Sequence, residues 1–172
     1  MNNVNIQNIA RYTILRLNQN GNSICPLKLQ KILYYIQAWH MVYFGKENTL
    51  FSDVPEAWVN GPVYRKVYDT YKRIGIYDQI QLSDVHSNTE QATTDIQHLH
   101  NELALDIEQW KFLESIYKHY GTKSHDELVF LTHSQKPWNV ARTGLQPFEY
   151  TDQKIDLEVM YDYYSSLHLK TE

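Results

Sequence analysis

One stretch, from Leu27 to Tyr71, restricts the fold of this chain more than any other part of its sequence. Its first half repeats apolar residues at helical spacing and fills the other helix faces as well: Leu29, Ile32, Leu33 and Ile36 share one face, and Tyr34, Tyr35, Ala38, Trp39 and Met41 cover the others. A helix that is apolar all round is a buried helix. The pattern therefore predicts a helix through the middle of the domain, with Pro26 in its first turn and Gly45 at its end.

The second half of this stretch combines short extended segments with a turn. Leu50-Phe51 and Ala57-Trp58-Val59 are each long enough for one short strand, and together they predict a small sheet. Asn60-Gly61-Pro62 predicts a turn in which Pro62 opens the next helix, and Gly75 ends that helix. Nothing in the stretch resembles a reaction centre, so it favours a scaffold with a recognition surface.

The rest of the chain is mostly helical in pattern. Further helices are predicted at Val4 to Leu17, from Asp106 to a stop at Gly121, from Leu128 to about His133 after a Ser124-x-x-Glu127 capping box, and after a cap at Asp156. The polar segment from Gln81 to Asn101 predicts a partly mobile surface loop. We therefore predict one domain over residues 1–172, mainly α, a compact helical domain of about six helices with a small β element near residues 50–60.

Composition limits the cellular compartments and the classes of partner that are expected for this chain. A chain of 172 residues can bury a single core without metal or disulfide support. The net charge of −4 and the pI near 6.0 argue against a general nucleic-acid binder, which usually carries a basic patch. The single cysteine, Cys25, cannot form an internal disulfide, and no apolar run reaches the roughly 20 residues of a membrane span. With no signal-peptide pattern at the N-terminus, these features predict a cytoplasmic protein without membrane contact.

Residues with catalytic or metal-binding chemistry do not form a persuasive set. Ser124-His125-Asp126 has the residue types of a hydrolytic triad, but consecutive side chains converge poorly on one atom, and the capping role suits them better. Cys25 could pair with His40 or His133 as nucleophile and base, without any supporting flanking sequence. His98 and His100, with His86 nearby, lack a ligand set for a metal, and the glycines form no phosphate-binding pattern. We therefore expect no catalytic residue, no metal and no cofactor.

Three charged residues among bulky apolar neighbours have two interpretations. Lys31, Glu56 and Arg142 are costly to bury unless they are paired. In the structural interpretation they form an ion-pair network, or they pack their stems on the core and keep their charged heads in water. In the functional interpretation they frame a partner-binding groove. The candidate residues of that groove are Lys31, Glu56, Trp58, Tyr64, Arg65, Trp138 and Arg142.

Three sequence motifs in one order carry a family resemblance. The motifs are Leu29-Gln30-Lys31-Ile32-Leu33-Tyr34-Tyr35, then Glu56-Ala57-Trp58 with Gly61-Pro62-Val63, and then Leu131-Thr132-His133 with Pro137-Trp138-Asn139-Val140-Ala141-Arg142. In this order the chain resembles the Panacea domain, the SocA-type antitoxin domain also called phage-associated GepA-like. The resemblance runs from about Ile6 to Leu167.

The resemblance implies an antitoxin of a bacterial or prophage toxin–antitoxin system that neutralises a cognate toxin by direct protein contact, without catalysis. Toxins of several unrelated kinds occur with this domain, so the chemistry of the toxin is not implied. We expect exposed tyrosines and the segment from Gln81 to Asn101 to meet the toxin, and the mildly acidic charge to suit a basic one. No segment suited to a separate DNA-binding module precedes the domain, and homo-oligomerisation stays open. The alternatives are a regulatory or proteolytic adaptor of prophage origin and a small enzyme that uses Cys25 or the histidines.

Overall fold

The computed structural model describes residues 4–85 and 89–169, and within them nine helices enclose one two-stranded antiparallel sheet. The elements are α1 (Ile6–Gln19), α2 (Pro26–Phe44), β1 (Glu56–Trp58), β2 (Gly61–Val63), α3 (Arg65–Tyr71), α4 (Leu82–Val85), α5 (Thr89–Leu103), α6 (Ile107–Tyr120), α7 (His125–His133), α8 (Lys136–Ala141) and α9 (Leu157–His168). The predicted mainly helical class with a small β element is confirmed. The prediction of about six helices missed α4, α5 and α8.

Helix α2 lies at the centre of the domain, as its all-round apolar pattern predicts. It packs against α1, α3, α6, α7, α9 and β2. Its start is fixed by Cys25, whose sulfur accepts a hydrogen bond from the Lys28 N–H at 3.5 Å, and by Pro26, which has no N–H to satisfy. Gly45, at a φ of 106°, ends the helix. Helices α5 and α8 and strand β1 in turn contact neighbours of α2, so most of the fold is positioned by α2.

The small sheet lies slightly further along the chain than its predicted position. In the β1–β2 hairpin Glu56 pairs with Val63, Ala57 with Pro62 and Trp58 with Gly61. The prediction of a strand at Leu50-Phe51 is wrong, because both residues are buried in bends. Pro62 lies within β2 and does not open α3. A proline fits here because the Ala57–Pro62 pair needs no N–H from Pro62: the Ala57 N–H points away from β2 and donates to the Gln153 carbonyl oxygen at 2.8 Å.

The predicted surface loop from Gln81 to Asn101 is wrong, because most of it is helical. Residues 82–85 form α4 and residues 89–103 form α5, while residues 86–88 lie outside the described part of the chain. Leu99 and Leu103, four residues apart on α5, are buried, and α5 packs along α1. The segment contains neither Gly nor Pro, so its polar residues do not prevent a helix when one apolar face is available.

The remaining predicted helices are confirmed, but the prediction that Gly75 ends α3 is wrong, because α3 ends at Tyr71 with Lys72 as its C-cap. Ser124 and Glu127 form a reciprocal capping box at α7, and the Asp156 carboxylate accepts from the Glu158 N–H at the start of α9. Across residues 4–85 and 89–169, no helix combines the length and apolar character that a bilayer crossing needs.

Candidate functional site

The hairpin is attached to α3 through a carboxylate that is nearly buried. Glu56 is 6% exposed, and its two oxygens accept from Arg65, at 3.1 Å from Nε and 2.6 Å from Nη2. The Trp58 indole N–H donates to the same carboxylate at 2.7 Å. Burial raises the pKa of Glu56, but hydrogen bonds from Arg65 and Trp58 and nearby positive charge outweigh it, and the net pKa lies below its ordinary value. Glu56 is therefore ionised at neutral pH and fixes the orientation of both partners.

Arg142, at the end of α8, connects the hairpin to the segment that follows α8. Its Nη1 donates to the Ala57 carbonyl oxygen at 2.8 Å, and its Nη2 donates to the carbonyl oxygens of Glu149 at 2.8 Å and Gln146 at 3.2 Å. The Trp138 indole N–H donates to the Trp58 carbonyl oxygen at 2.9 Å. Backbone carbonyls, and no carboxylate of the described residues, hold this buried guanidinium.

Lys31 connects α2 to the second strand of the hairpin, β2. It is 0% exposed, and its ammonium Nζ donates to the Pro62 carbonyl oxygen at 3.0 Å. Burial lowers the pKa of Lys31 to about 7. Lys31 and Glu56 therefore do not form an ion pair with each other. Glu56 pairs with Arg65, and Lys31 donates to a backbone oxygen.

Tyr64 connects the hairpin to α3 through its backbone. Gln30 accepts from the Tyr64 N–H at 2.8 Å and donates to the Tyr64 carbonyl oxygen at 3.4 Å, so one side chain satisfies both backbone groups. The Tyr64 ring is buried edge-on against Phe51, and its hydroxyl has no hydrogen-bond partner in the described structure. Burial raises the pKa of this hydroxyl well above its ordinary value.

An apolar groove of about 220 Å³ lies between the hairpin, the start of α2 and α3, and we call it the aromatic groove. Its lining residues are Pro26, Leu27, Leu29 and Gln30 from α2, Trp58, Val59, Asn60 and Val63 from the hairpin, Val67, Tyr68 and Tyr71 from α3, and Ile76 and Tyr150. Two of its aromatic rings meet edge to face, with the Trp58 centroid 4.7 Å from Tyr68. Tyr150 is 64% exposed at the rim and accepts a hydrogen bond from Arg65 at 3.0 Å.

A second depression of about 410 Å³ lies on the other side of the hairpin tip, and we call it the tip pocket. Val59 and Asn60 border both depressions. The rest of the tip pocket is formed by His133, Trp138, Asn139, Arg142 and the segment Leu145 to Phe148. None of the described residues that line it is acidic. The His133 ring stacks on Trp138 with centroids 4.0 Å apart.

The structure brings the seven predicted site residues to one region, but at different depths. Lys31, Glu56, Tyr64 and Arg142 are buried, whereas Trp58 and Trp138 are half-buried and Arg65 is exposed. In this structure the first four therefore position the hairpin and present little surface of their own. Direct contact with a partner stays a prediction for all seven.

Sequence reasoning missed Tyr68, Tyr150 and Phe148. The spacing of Tyr68 with Val67 and Tyr71 predicts one apolar helix face, which indicates packing and not a partner site. Phe148 and Tyr150 follow Gly144 and Pro147 in a polar segment without helical spacing, and aromatic residues in such a segment are a sign of surface exposure. Both are in fact exposed.

The residues considered for catalysis occupy separate places. Ser124 caps α7, with its hydroxyl accepting from the Glu127 N–H at 3.1 Å. Cys25 caps the start of α2, and His40 lies roughly 20 Å further along the same helix. The His40 ring contacts the Asn48 carbonyl oxygen at 2.8 Å and the Gln109 amide at 3.1 Å. No hydrogen bond within the described residues joins the Cys25 thiol to His133.

The histidines considered as metal ligands also diverge. His100 stacks on Trp110 with centroids 4.0 Å apart, His98 faces Glu102 at 3.6 Å, and His86 lies outside the described residues. Over the ranges 4–85 and 89–169, no three His, Cys, Asp or Glu side chains are grouped as a metal site requires.

Comparison with known proteins gives one match. The family model described as "Antitoxin SocA-like, Panacea domain" matches residues 29–139, which include the core helix α2 from Leu29 onward, the hairpin and the start of α8. No curated protein and no solved structure matches significantly.

Proposed function

Because the chain belongs to the SocA-like antitoxin family with the Panacea domain, we propose that it is the antitoxin of a toxin–antitoxin system and neutralises a cognate toxin by direct contact. The aromatic groove is the contact site, and the toxin inserts apolar side chains into it. The protein acts by binding, without catalysis and without a cofactor.

The observation that carries this proposal is the aromatic groove itself. Among the described residues that line it, polar groups come only from Gln30, Asn60, the tyrosine hydroxyls and the Trp58 indole N–H. Trp and Tyr dominate the binding energy of protein interfaces, because they bury a large area and lose little rotamer freedom. The groove is also rigid, since Trp58 donates to a carboxylate that Arg65 fixes. A preorganised wall of this kind reduces the ordering cost of binding.

The cellular setting follows from the same proposal. A toxin that acts inside the cell needs its antitoxin in the cytoplasm, and one cysteine that is buried and free suits a reducing compartment. The family resemblance adds phage association to this setting.

Co-expression tests the function directly. The protein is produced together with the product of the adjacent reading frame, and growth and co-purification are scored. Rescue of growth together with a stable complex is the expected result. A neighbour that is not toxic and does not co-purify contradicts the proposal and favours the adaptor alternative.

A matched pair of tyrosine variants tests the groove. Tyr150→Ala removes an exposed ring from the rim, so we expect the dissociation constant of the complex to rise about 30-fold, the effect of losing an interface hot spot. Tyr43→Ala removes a ring of similar exposure at the other end of α2, roughly 20 Å from Gln30 along the helix axis. Isothermal titration calorimetry of both variants checks this, and equal loss of affinity in the two would remove the groove from the interface.

A further inference from the structure

We propose that the tip pocket receives an acidic side chain of the toxin, while the aromatic groove on the other side of the hairpin tip receives apolar side chains of the same partner. This inference rests on the proposed antitoxin function and specifies the chemistry of the toxin surface. It reverses the expectation from net charge, in which an acidic antitoxin prefers a basic partner surface.

Positive charge without a direct ion pair is the first observation at the tip pocket. Arg142 lines the pocket at 7% exposure, and Lys31 lies beneath the neighbouring strand at 0% exposure. Within residues 4–85 and 89–169, neither of them has a carboxylate within 4.0 Å, and both donate to backbone oxygens. A buried cation without a counter-charge is costly, and an incoming carboxylate reduces that cost.

The pKa of His133 is affected by the same two positive charges. Burial lowers its pKa, the charges of Lys31 and Arg142 lower it further, and the Val59 backbone acts in the opposite direction. The ring is therefore neutral at physiological pH, and its Nε2 atom is buried without a hydrogen-bond partner in the described structure. Arg142, and Lys31 in its protonated fraction, thus place positive charge on one side of the hairpin tip, in a chain whose net charge is −4.

The pocket mouth supplies donors that suit a carboxylate. The side-chain amides of Asn60 and Gln146 have no hydrogen bond within the described part of the fold, and both residues are exposed. The Glu149 carboxylate accepts from the Gln146 backbone N–H at 3.0 Å and leaves the side-chain amide of Gln146 free. Arg142 already uses Nη1 and Nη2 on backbone oxygens, so the two-pronged contact that arginine offers a phosphate is not available. A single acidic side chain, held by amide donors in a positive field, matches this arrangement better.

The occupant is a protein because the pocket is continuous with the aromatic groove. Val59 and Asn60 border both, and Phe148 is 87% exposed at the pocket rim. A partner segment that crosses the hairpin tip contacts Phe148, places its carboxylate between Asn60 and Gln146, and lays its apolar residues along Trp58 and Tyr68.

Charge variants of Gln146 test the pocket in the complex with the adjacent gene product. The side chain of Gln146 is exposed and unpaired within the described residues, so its replacement leaves the fold intact. We expect Gln146→Glu to raise the dissociation constant at least 10-fold and Gln146→Lys to keep or lower it. Equal effects of the two variants, or tighter binding by Gln146→Glu, would overturn the inference.

A fragment titration tests the pocket without the toxin. 3-Phenylpropionate carries an aromatic ring and a carboxylate, and 3-phenylpropanamide is its neutral counterpart. We expect the acid, and not the amide, to shift the Trp138 indole N–H signal in a ¹H–¹⁵N spectrum, and Gln146→Glu to abolish the shift. Equal shifts from the two compounds, or none from either, contradict the pocket. Failure of co-expression rescue instead contradicts the antitoxin function, so the two failures are distinguishable.

Discussion

At the scale of single residues, Lys31 and Gly61 depend on each other. Gly61 has a φ of 96°, and a Cβ atom added there would lie 2.7 Å from Lys31 Cε and 2.9 Å from Thr132 Oγ1. The lysine stem therefore reaches Pro62 only because the residue above it has no side chain. The ammonium group is costly to bury, since Pro62 is the one oxygen that the described residues offer it within hydrogen-bond distance.

Replacement of Lys31 should stabilise the protein at neutral pH. The folded-state pKa of about 7 lies below the ordinary value of 10.5, so the unfolded chain binds more protons between these two values. Stability of the wild-type protein should therefore rise between pH 7 and pH 9, by about 2 kcal/mol. Lys31→Met should be more stable than wild type at pH 7, by roughly 1–4 kcal/mol, and should lose most of this rise. Urea unfolding followed by Trp fluorescence checks both, with the exposed Lys111→Met as the control.

Replacement of Gly61 should be more damaging than replacement of another glycine with positive φ. Gly21 has a φ of 74° and no atom within 4 Å of an added Cβ, so Gly21→Ala costs only backbone strain, about 1–2 kcal/mol. Gly61→Ala adds a steric conflict with Lys31 and Thr132, and we expect a further loss of about 1–3 kcal/mol. Thermal unfolding of the two variants separates these terms, and equal losses would mean that Lys31 moves aside freely.

At the scale of elements, α5 shows how few apolar residues a surface helix needs. Ile96, Leu99 and Leu103 recur at spacings of three and four and form one narrow stripe against α1. The neighbouring polar residues remain outside, since Gln97 and His98 are exposed. The helix is therefore held by packing and not by intrinsic propensity.

Truncation of this stripe should be costly. Leu99 is 1% exposed, so Leu99→Ala should lower the free energy of unfolding by about 2–4 kcal/mol. Gln97→Ala, on the exposed face two residues earlier, should change it by less than about 0.5 kcal/mol. Chemical denaturation of both variants tests the helix, and a small effect of Leu99→Ala would be the result expected of a loop.

At the scale of the whole molecule, three separate parts of the chain hold the hairpin in place. Helix α2 contributes Lys31 and Gln30, α3 contributes Arg65, and the region after α8 contributes Arg142 and the bridge from Lys154 to Glu56. The aromatic groove and the tip pocket lie on the two sides of this fixed hairpin. Residues that hold the hairpin should therefore affect stability, and residues that only surround it should affect binding.

Charge reversal at two arginines distinguishes these roles. Arg65→Glu places a second carboxylate against Glu56, so we expect loss of both stability and binding. Arg73 is exposed and has no ion pair within the described residues, so Arg73→Glu should keep the unfolding free energy within about 0.5 kcal/mol while weakening the complex. Calorimetric binding and denaturant unfolding of both variants check this. Unchanged binding by Arg73→Glu would place the end of α3 outside the interface.

The sequence by itself determined the helical class, the central helix and the caps. These features depend on local patterns: the all-round apolar face of α2, the Ser124 capping box and the Asp156 cap each lie within a few residues of the structure that they specify. The order of the three motifs also indicated the family. Helix α5 was not predicted, because the segment is mostly polar and only three apolar residues form its buried stripe.

Only the tertiary structure decided which charges meet. Glu56 pairs with Arg65 and not with Lys31. Arg142 is held by backbone oxygens of the hairpin, at Ala57, and of the segment after α8, at Glu149. Such contacts depend on how the hairpin packs against α2, and some of the residues that fix it are more than a hundred positions apart in the sequence. The same packing brings Tyr150 beside Trp58, with ring centroids 6.1 Å apart, and so forms a groove that no local pattern contains.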